Sequence, residues 1–184
     1  QQISDKASYS FVRGLQIDIA KAELTETQRD ALTTSSAFNN ATRPKGKHYD
    51  YEVDSFVYAF FGGIEDLYLN DSLNFFADAR AEFIEYEYSN RMISGNTRED
   101  GTKCGFGGCY YNRPSDRTDD FNEVSTRMGL VTNYENINYF FQVSLGFRPP
   151  QINEAYRLQK KQTVSELDAE TLTMYELGGK FNLK

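Results

Sequence analysis

The chain has 184 residues, with 20 Lys+Arg against 27 Asp+Glu and a formal net charge of −7. That length suits one domain, and the acidic balance argues against nucleic acid as a partner. Mean hydropathy is −0.64 and no run approaches about 18 apolar residues, which excludes helical membrane spans. A membrane β-barrel, in which only alternate residues face lipid, fits this composition, and so does a soluble β protein.

Residues 1–7 are polar and read as a turn or the end of an earlier strand. Tyr9, Phe11, Leu15, Ile17 and Ile19 then alternate with Ser10, Val12, Gly14, Gln16 and Asp18, the period of a half-buried strand. Arg13 interrupts the apolar face. A lipid-facing arginine at the membrane midplane costs about 2–4 kcal/mol, so Arg13 is expected near an interface or beside a bulge. From about Thr25 to Lys47 the composition is that of a loop. A second strand is predicted from about Tyr49 to Asp66, with Tyr49, Tyr51, Val53, Val57 and Ala59 on the apolar side. Gly62-Gly63 suggests a bulge in it.

Leu69-Asn70-Asp71-Ser72 has the composition of a tight turn. A third strand follows from Leu73 to Tyr88, with Leu73, Phe75, Ala77, Ala79, Ala81 and Phe83 opposite Asn74, Asp78, Arg80 and Glu82. A long polar stretch, about Ser89 to Asp119, holds both cysteines. The fourth strand is predicted near Phe121 to Thr132, and Asn133-Tyr134-Glu135-Asn136 reads as another short turn. Ile137 to Phe147 alternates cleanly until Arg148-Pro149-Pro150 stops it, because proline has no N–H for the ladder. A last alternating run begins near Thr173, with Tyr175, Leu177, Phe181 and Leu183 on one face and Glu176, Lys180, Asn182 and Lys184 on the other.

The connections therefore run long, short, long, short, long, as in outer-membrane barrels with short periplasmic turns and long extracellular loops. Tyr49, Tyr51, Tyr86, Tyr88, Phe147 and Tyr175 lie near strand ends, where an interfacial aromatic girdle would sit. The expected fold is an all-β, antiparallel up-and-down transmembrane barrel. Six strands do not close a membrane barrel, and open edges in lipid are prohibitively costly. Residues 1–184 are accordingly expected to be an incomplete segment of one barrel domain. The alternative is a small barrel with two further strands, hidden in the first long loop.

Signals for catalysis are poor. His48 is the single histidine, and it stands where a loop enters a strand. No glycine-rich phosphate cradle or Gly-x-Ser-x-Gly elbow occurs, and nothing points to a resident cofactor. Asp78, Arg80 and Glu82 read as a solvated lumen wall. Cys104-Gly105-Phe106-Gly107-Gly108-Cys109 is the clearest local device. In a long loop exposed to an oxidising compartment a disulfide is expected. A metal site is the rival reading, with too few nearby ligands. The ring would stiffen a loop tip presenting Phe106, Tyr110 and Tyr111. The loop from Arg148 to Glu170 would present Tyr156, Arg157, Lys160 and Lys161, which could meet an anionic solute; a plain solvated loop is the other reading.

Four pieces in order carry a resemblance: Gly146-Phe147-Arg148-Pro149-Pro150, Glu154-Ala155-Tyr156-Arg157-Leu158, Leu167-Asp168-Ala169-Glu170-Thr171 and Tyr175-Glu176-Leu177-Gly178. Together they resemble the C-terminal barrel region of TonB-dependent receptors, and the likeness extends back to about His48. It implies a barrel of about 22 strands in the outer membrane of a Gram-negative bacterium. Its partners would be membrane lipid, the remainder of the barrel, a plug outside this segment, and TonB. The implied function is energy-coupled import of a scarce solute, with a ferric siderophore as the first expectation. Haem receptors of the family carry a His and an Asn-Pro-Asn-Leu-like segment after the strand end; here no His follows Pro150 and Ser165-Glu166-Leu167-Asp168 stands in that place. A passive porin and a soluble lipocalin-like binder are the alternatives.

Overall fold

The computed structural model describes residues 9–134, 137–164 and 167–181. The expectations for residues 1–7, for Glu135-Asn136, for Ser165-Glu166 and for Asn182 to Lys184 lie outside the described residues. Six long strands form one antiparallel sheet: β1 (Phe11–Gln28), β2 (Gly46–Asn70), β3 (Leu73–Asn90), β5 (Arg117–Tyr134), β6 (Ile137–Arg148) and β8 (Glu170–Phe181), each paired with the next in sequence. Two short strands, β4 (Tyr111–Asn112) and β7 (Leu158–Gln159), pair separately. Helices α1 (Ala37–Thr42) and α2 (Ile152–Tyr156) lie in the first and last long loops. The sheet is not closed: β1 and β8 are its two edges. An all-β section of an up-and-down barrel is therefore what these residues build.

The two faces of the sheet differ. Following the register across all six strands, Leu15 stands opposite Phe60, Phe60 opposite Ala81, and Ala81 opposite Val124. Further along, Met128 stands opposite Val143, and Val143 opposite Tyr175. Side chains of one row share a face, so apolar residues from all six strands merge into one bare apolar surface. Ile137, Tyr139, Phe141, Val143, Leu145, Tyr175, Leu177 and Phe181 all belong to it. Its residues are highly exposed, Leu177 at 80% and Leu15 at 73%. On β3 it runs from Leu73 to Phe83, which a tilted strand converts to about 25 Å of height. It ends abruptly on charge: Lys21 pairs with Glu52, and Arg91 reaches Glu23 at 3.0 Å.

The opposite face carries Gln16, Asp78, Arg80, Glu82, Arg127, Gln142 and Glu176. Arg127 binds Asp78 at 2.8 Å and Arg80 donates to Gln16 at 2.9 Å. Three glycines on this face receive a phenylalanine ring from the residue directly across: Phe61 on Gly14, Phe76 on Gly129 and Phe140 on Gly178. A Cβ at any of the three would stand 2.3–2.5 Å from the ring, so glycine there is what lets the ring lie flat.

Several local expectations change. β1 runs to Gln28, because Ala20, Ala22 and Leu24 continue the inner face while Lys21 and Glu23 take the outer one. Gly62-Gly63 is not a bulge. Both residues keep regular partners, and the register slips instead between Ile64 and Leu67. Gly63 answers a close approach, since a Cβ there would meet the Ala77 carbonyl oxygen at 2.5 Å. Arg13 has no bulge beside it. It stands opposite Gly62 on the apolar face, where the missing side chain leaves its aliphatic stem room to run toward a polar boundary. The apolar stripe Tyr49, Tyr51, Val53 points to the inner face, and Phe56, Tyr58 and Phe60 supply the outer one. The reason is the cap described next, which buries that stripe.

Candidate functional site

All three long connections leave the same end of the sheet, and they fold together into a cap against its inner face. Tyrosine is the commonest of the buried residues: Tyr49, Tyr51, Tyr86 and Tyr88 from the strands meet Tyr111, Tyr156, Leu158 and Val164 from the loops. A tyrosine ring buries apolar area while its hydroxyl can find a partner; those of Tyr49, Tyr51 and Tyr156 do, and those of Tyr88 and Tyr111 are buried without one among the described residues. Tyr49 donates to the Leu158 carbonyl at 2.5 Å and Tyr156 donates to Asp119 at 2.8 Å, with the Tyr156 ring stacked on Tyr88 at 4.5 Å.

The loops are also stitched to one another. The Tyr110 N–H donates to the Thr42 carbonyl at 2.9 Å, and the Lys160 N–H donates to the Tyr110 carbonyl at 2.8 Å. Pairing of β4 with β7 completes the join. Cys104 and Cys109 form a disulfide whose sulfurs are buried in the cap. Gly105 packs so tightly on α1 that a Cβ would lie 3.0 Å from that of Ala41. Phe106, at the tip of this ring, has φ +52°. That conformation is unfavourable for a bulky side chain, and it holds the ring 62% exposed with its edge against Phe38, 5.5 Å between centroids.

Arg113 fastens the middle loop. It is 1% exposed, and its guanidinium donates closely to three backbone carbonyls, those of Ile93 at 2.7 Å, His48 at 3.0 Å and Thr97 at 2.7 Å, and more distantly to that of Arg98 at 3.4 Å. His48 is part of the same packing. Its ring stacks on Tyr111 at 4.4 Å and Nε2 donates to the Pro44 carbonyl at 2.7 Å. Among the described residues no group of three or more His, Cys, Asp or Glu side chains could hold a metal ion.

The residues expected to meet a solute are thus brought to one cap but not to one surface. Tyr111 and Tyr156 lie in its packed interior, 5% and 0% exposed. Arg157 binds Glu26 at 2.7 Å, which ties the last loop to β1. The Lys160 ammonium holds the Phe106 carbonyl, while Lys161 is exposed. Tyr110 is half-buried and donates to Gln159 at 3.0 Å. Beside it opens a cleft of about 240 Å³, bordered by Glu26, Arg43, His48, Tyr110, Arg157 and Gln159. A second hollow of about 360 Å³ lies by Pro149 and Pro150 and shares Arg157 and Gln159. Arg43, Glu26 and Arg113 were not singled out by sequence reasoning. Each sits in a polar stretch with no motif, and only the folding of three loops together gives it a role.

Burial, followed by the hydrogen bond to Asp119, pushes the Tyr156 phenol far above the usual phenolic range. Burial raises Tyr111 as well, with Arg113 opposing. A folded-state pKa above the unfolded one stabilises fully below the unfolded value, and that contribution is lost as pH rises beyond it. The cap should therefore loosen between about pH 10 and 12, above the free tyrosine value. Tyrosinate absorbance and near-ultraviolet circular dichroism would follow it, and Tyr156→Phe should move the midpoint upward.

A sheet with one bare apolar face about 25 Å tall, a charged inner face, a two-residue turn between β2 and β3 at one end and a folded cap at the other defines a segment of outer-membrane barrel wall. Residues 6–184 match the family described as TonB dependent receptor-like, beta-barrel, and the chain belongs to that family. The family is one of transporters, not enzymes, of the Gram-negative outer membrane. Its members meet membrane lipid on the outer wall, a plug within and TonB. No curated protein and no solved structure matched the chain.

Proposed function

We propose that this chain forms part of the wall and extracellular cap of a receptor that captures a scarce solute and imports it with energy supplied through TonB. A ferric siderophore is the first candidate cargo. The single observation behind this reading is the cap: three loops joined over one end of the sheet, with cationic and aromatic side chains around one hollow and a second hollow of mixed charge beside it. In this reading Phe106, Tyr110, Arg157, Lys160 and Lys161 form the capture surface, and Tyr111 and Tyr156 hold it in shape. The disulfide between Cys104 and Cys109 keeps Phe106 at the tip. The barrel domain would take in the whole of residues 1–184, with the plug outside them.

Uptake by cells making the full receptor, in strains with and without TonB, tests the proposal. Iron-chelate uptake should disappear without TonB. Equal uptake in both strains would mean a passive pore. TonB-dependent growth on a carbohydrate or a cobalamin, with no effect of iron, would leave the mechanism standing and replace the cargo.

A further inference from the structure

We propose that Arg43 is the anion-reading residue of the cap cleft, and that it takes a single planar carboxylate on one arm of the solute, with Tyr110 as its platform. This rests on the cap being the capture surface, and it adds the chemistry that the surface reads. Arg43 follows α1 directly as its C-cap and is exposed at the edge of the cleft. Its guanidinium lies over the Tyr110 ring, 4.3 Å from the centroid. The ring in turn is fixed by the Thr42, Lys160 and Gln159 contacts of Tyr110 and by the edge of Phe38 at 6.3 Å. Stacking occupies one face of a guanidinium and leaves the donors in its plane free.

Among the described residues Arg43 makes no ion pair. The other guanidinium in the cleft, Arg157, is taken by Glu26. His48 adds a ring nitrogen already engaged with Pro44. Two guanidiniums against one carboxylate leave one positive charge to be met. A monoanion meets it. A phosphate dianion would bring a second negative charge close to Glu26, where like charges repel. A carboxylate also matches the planar fork of arginine with two parallel hydrogen bonds. The size agrees with one arm rather than a whole solute: about 240 Å³ is below the roughly 300–1,000 Å³ of sites that enclose a complete ligand.

The test is saturation-transfer NMR on the full-length receptor in detergent, with benzoate as the probe. Benzoate should receive saturation from the wild-type protein. The signal should fall at least fivefold in Arg43→Gln, partly in Arg43→Lys, and stay unchanged in the neighbouring control Lys45→Gln. Acetate in excess should displace benzoate, and inorganic phosphate at the same concentration should not. An undiminished benzoate signal in Arg43→Gln overturns the assignment, as does a loss equal in Lys45→Gln. Displacement by phosphate as effective as by acetate overturns the carboxylate preference. Intact amide-exchange protection of residues 93–116 in Arg43→Gln shows that the cap has kept its fold. TonB-dependent uptake is read separately, so failure here leaves the import mechanism untouched.

Discussion

Arginine placed at Val143 should keep the receptor from assembling in the membrane, while arginine at the adjacent Gln142 should be tolerated. The two positions are neighbours in sequence and opposite in surroundings. Val143 stands between Met128 and Tyr175 on the apolar face. Gln142 stands between Gly129 and Glu176 on the polar face and donates to Glu176 at 2.5 Å. A lipid-facing arginine costs about 2–4 kcal/mol at midplane, a large share of the roughly 5–15 kcal/mol that holds a typical folded protein together. At Gln142 a guanidinium would find the Glu176 carboxylate and water. Heat-modifiable migration on gels and urea titration of protein refolded into vesicles would measure both variants. Val143→Arg should lose the folded band, and Gln142→Arg should keep it.

Arg113→Ala should release the middle loop while leaving the sheet intact. The substitution strands the carbonyls of Ile93, His48 and Thr97, which the guanidinium now satisfies. Hydrogen bonds from charged groups contribute about 1.5–3 kcal/mol each, so a loss of at least about 3 kcal/mol from the cap is expected. Arg113→Lys should rescue little, because one ammonium on a flexible stem does not span three carbonyls set around a planar fork. Hydrogen exchange is the measurement. Amides of residues 93–116 should lose protection in both variants, and those of β2 and β3 should not change.

The fold was legible because alternation is a local property. Ile137 to Phe147 states its two faces in eleven letters, and the register then copies that pattern across the sheet. The β2 stripe shows where the same logic stops. Tyr49, Tyr51 and Val53 alternate as clearly as Ile137 to Leu145, yet they face inward. A period of two says that the faces differ; it does not say which one meets lipid. That depends on what covers the other face, and the cover comes from loops far away in sequence, such as Tyr156 stacking on Tyr88. The cap itself was only half legible. Cys104, Cys109 and the basic residues of the last loop carried composition signals. Arg43 and Arg113 carried none, because their roles come from carbonyls and rings on other loops.

The most direct test of the architecture is a cysteine scan of β6 in the full receptor, positions 139 to 145, labelled with a fluorophore in vesicles of acyl-brominated lipid. Tyr139, Phe141, Val143 and Leu145, each replaced by cysteine, should give strong quenching. Phe140, Gln142 and Ser144 should give weak quenching and respond instead to a water-soluble quencher. Uniform quenching, or the reverse alternation, would contradict a sheet that faces lipid on one side and an aqueous lumen on the other.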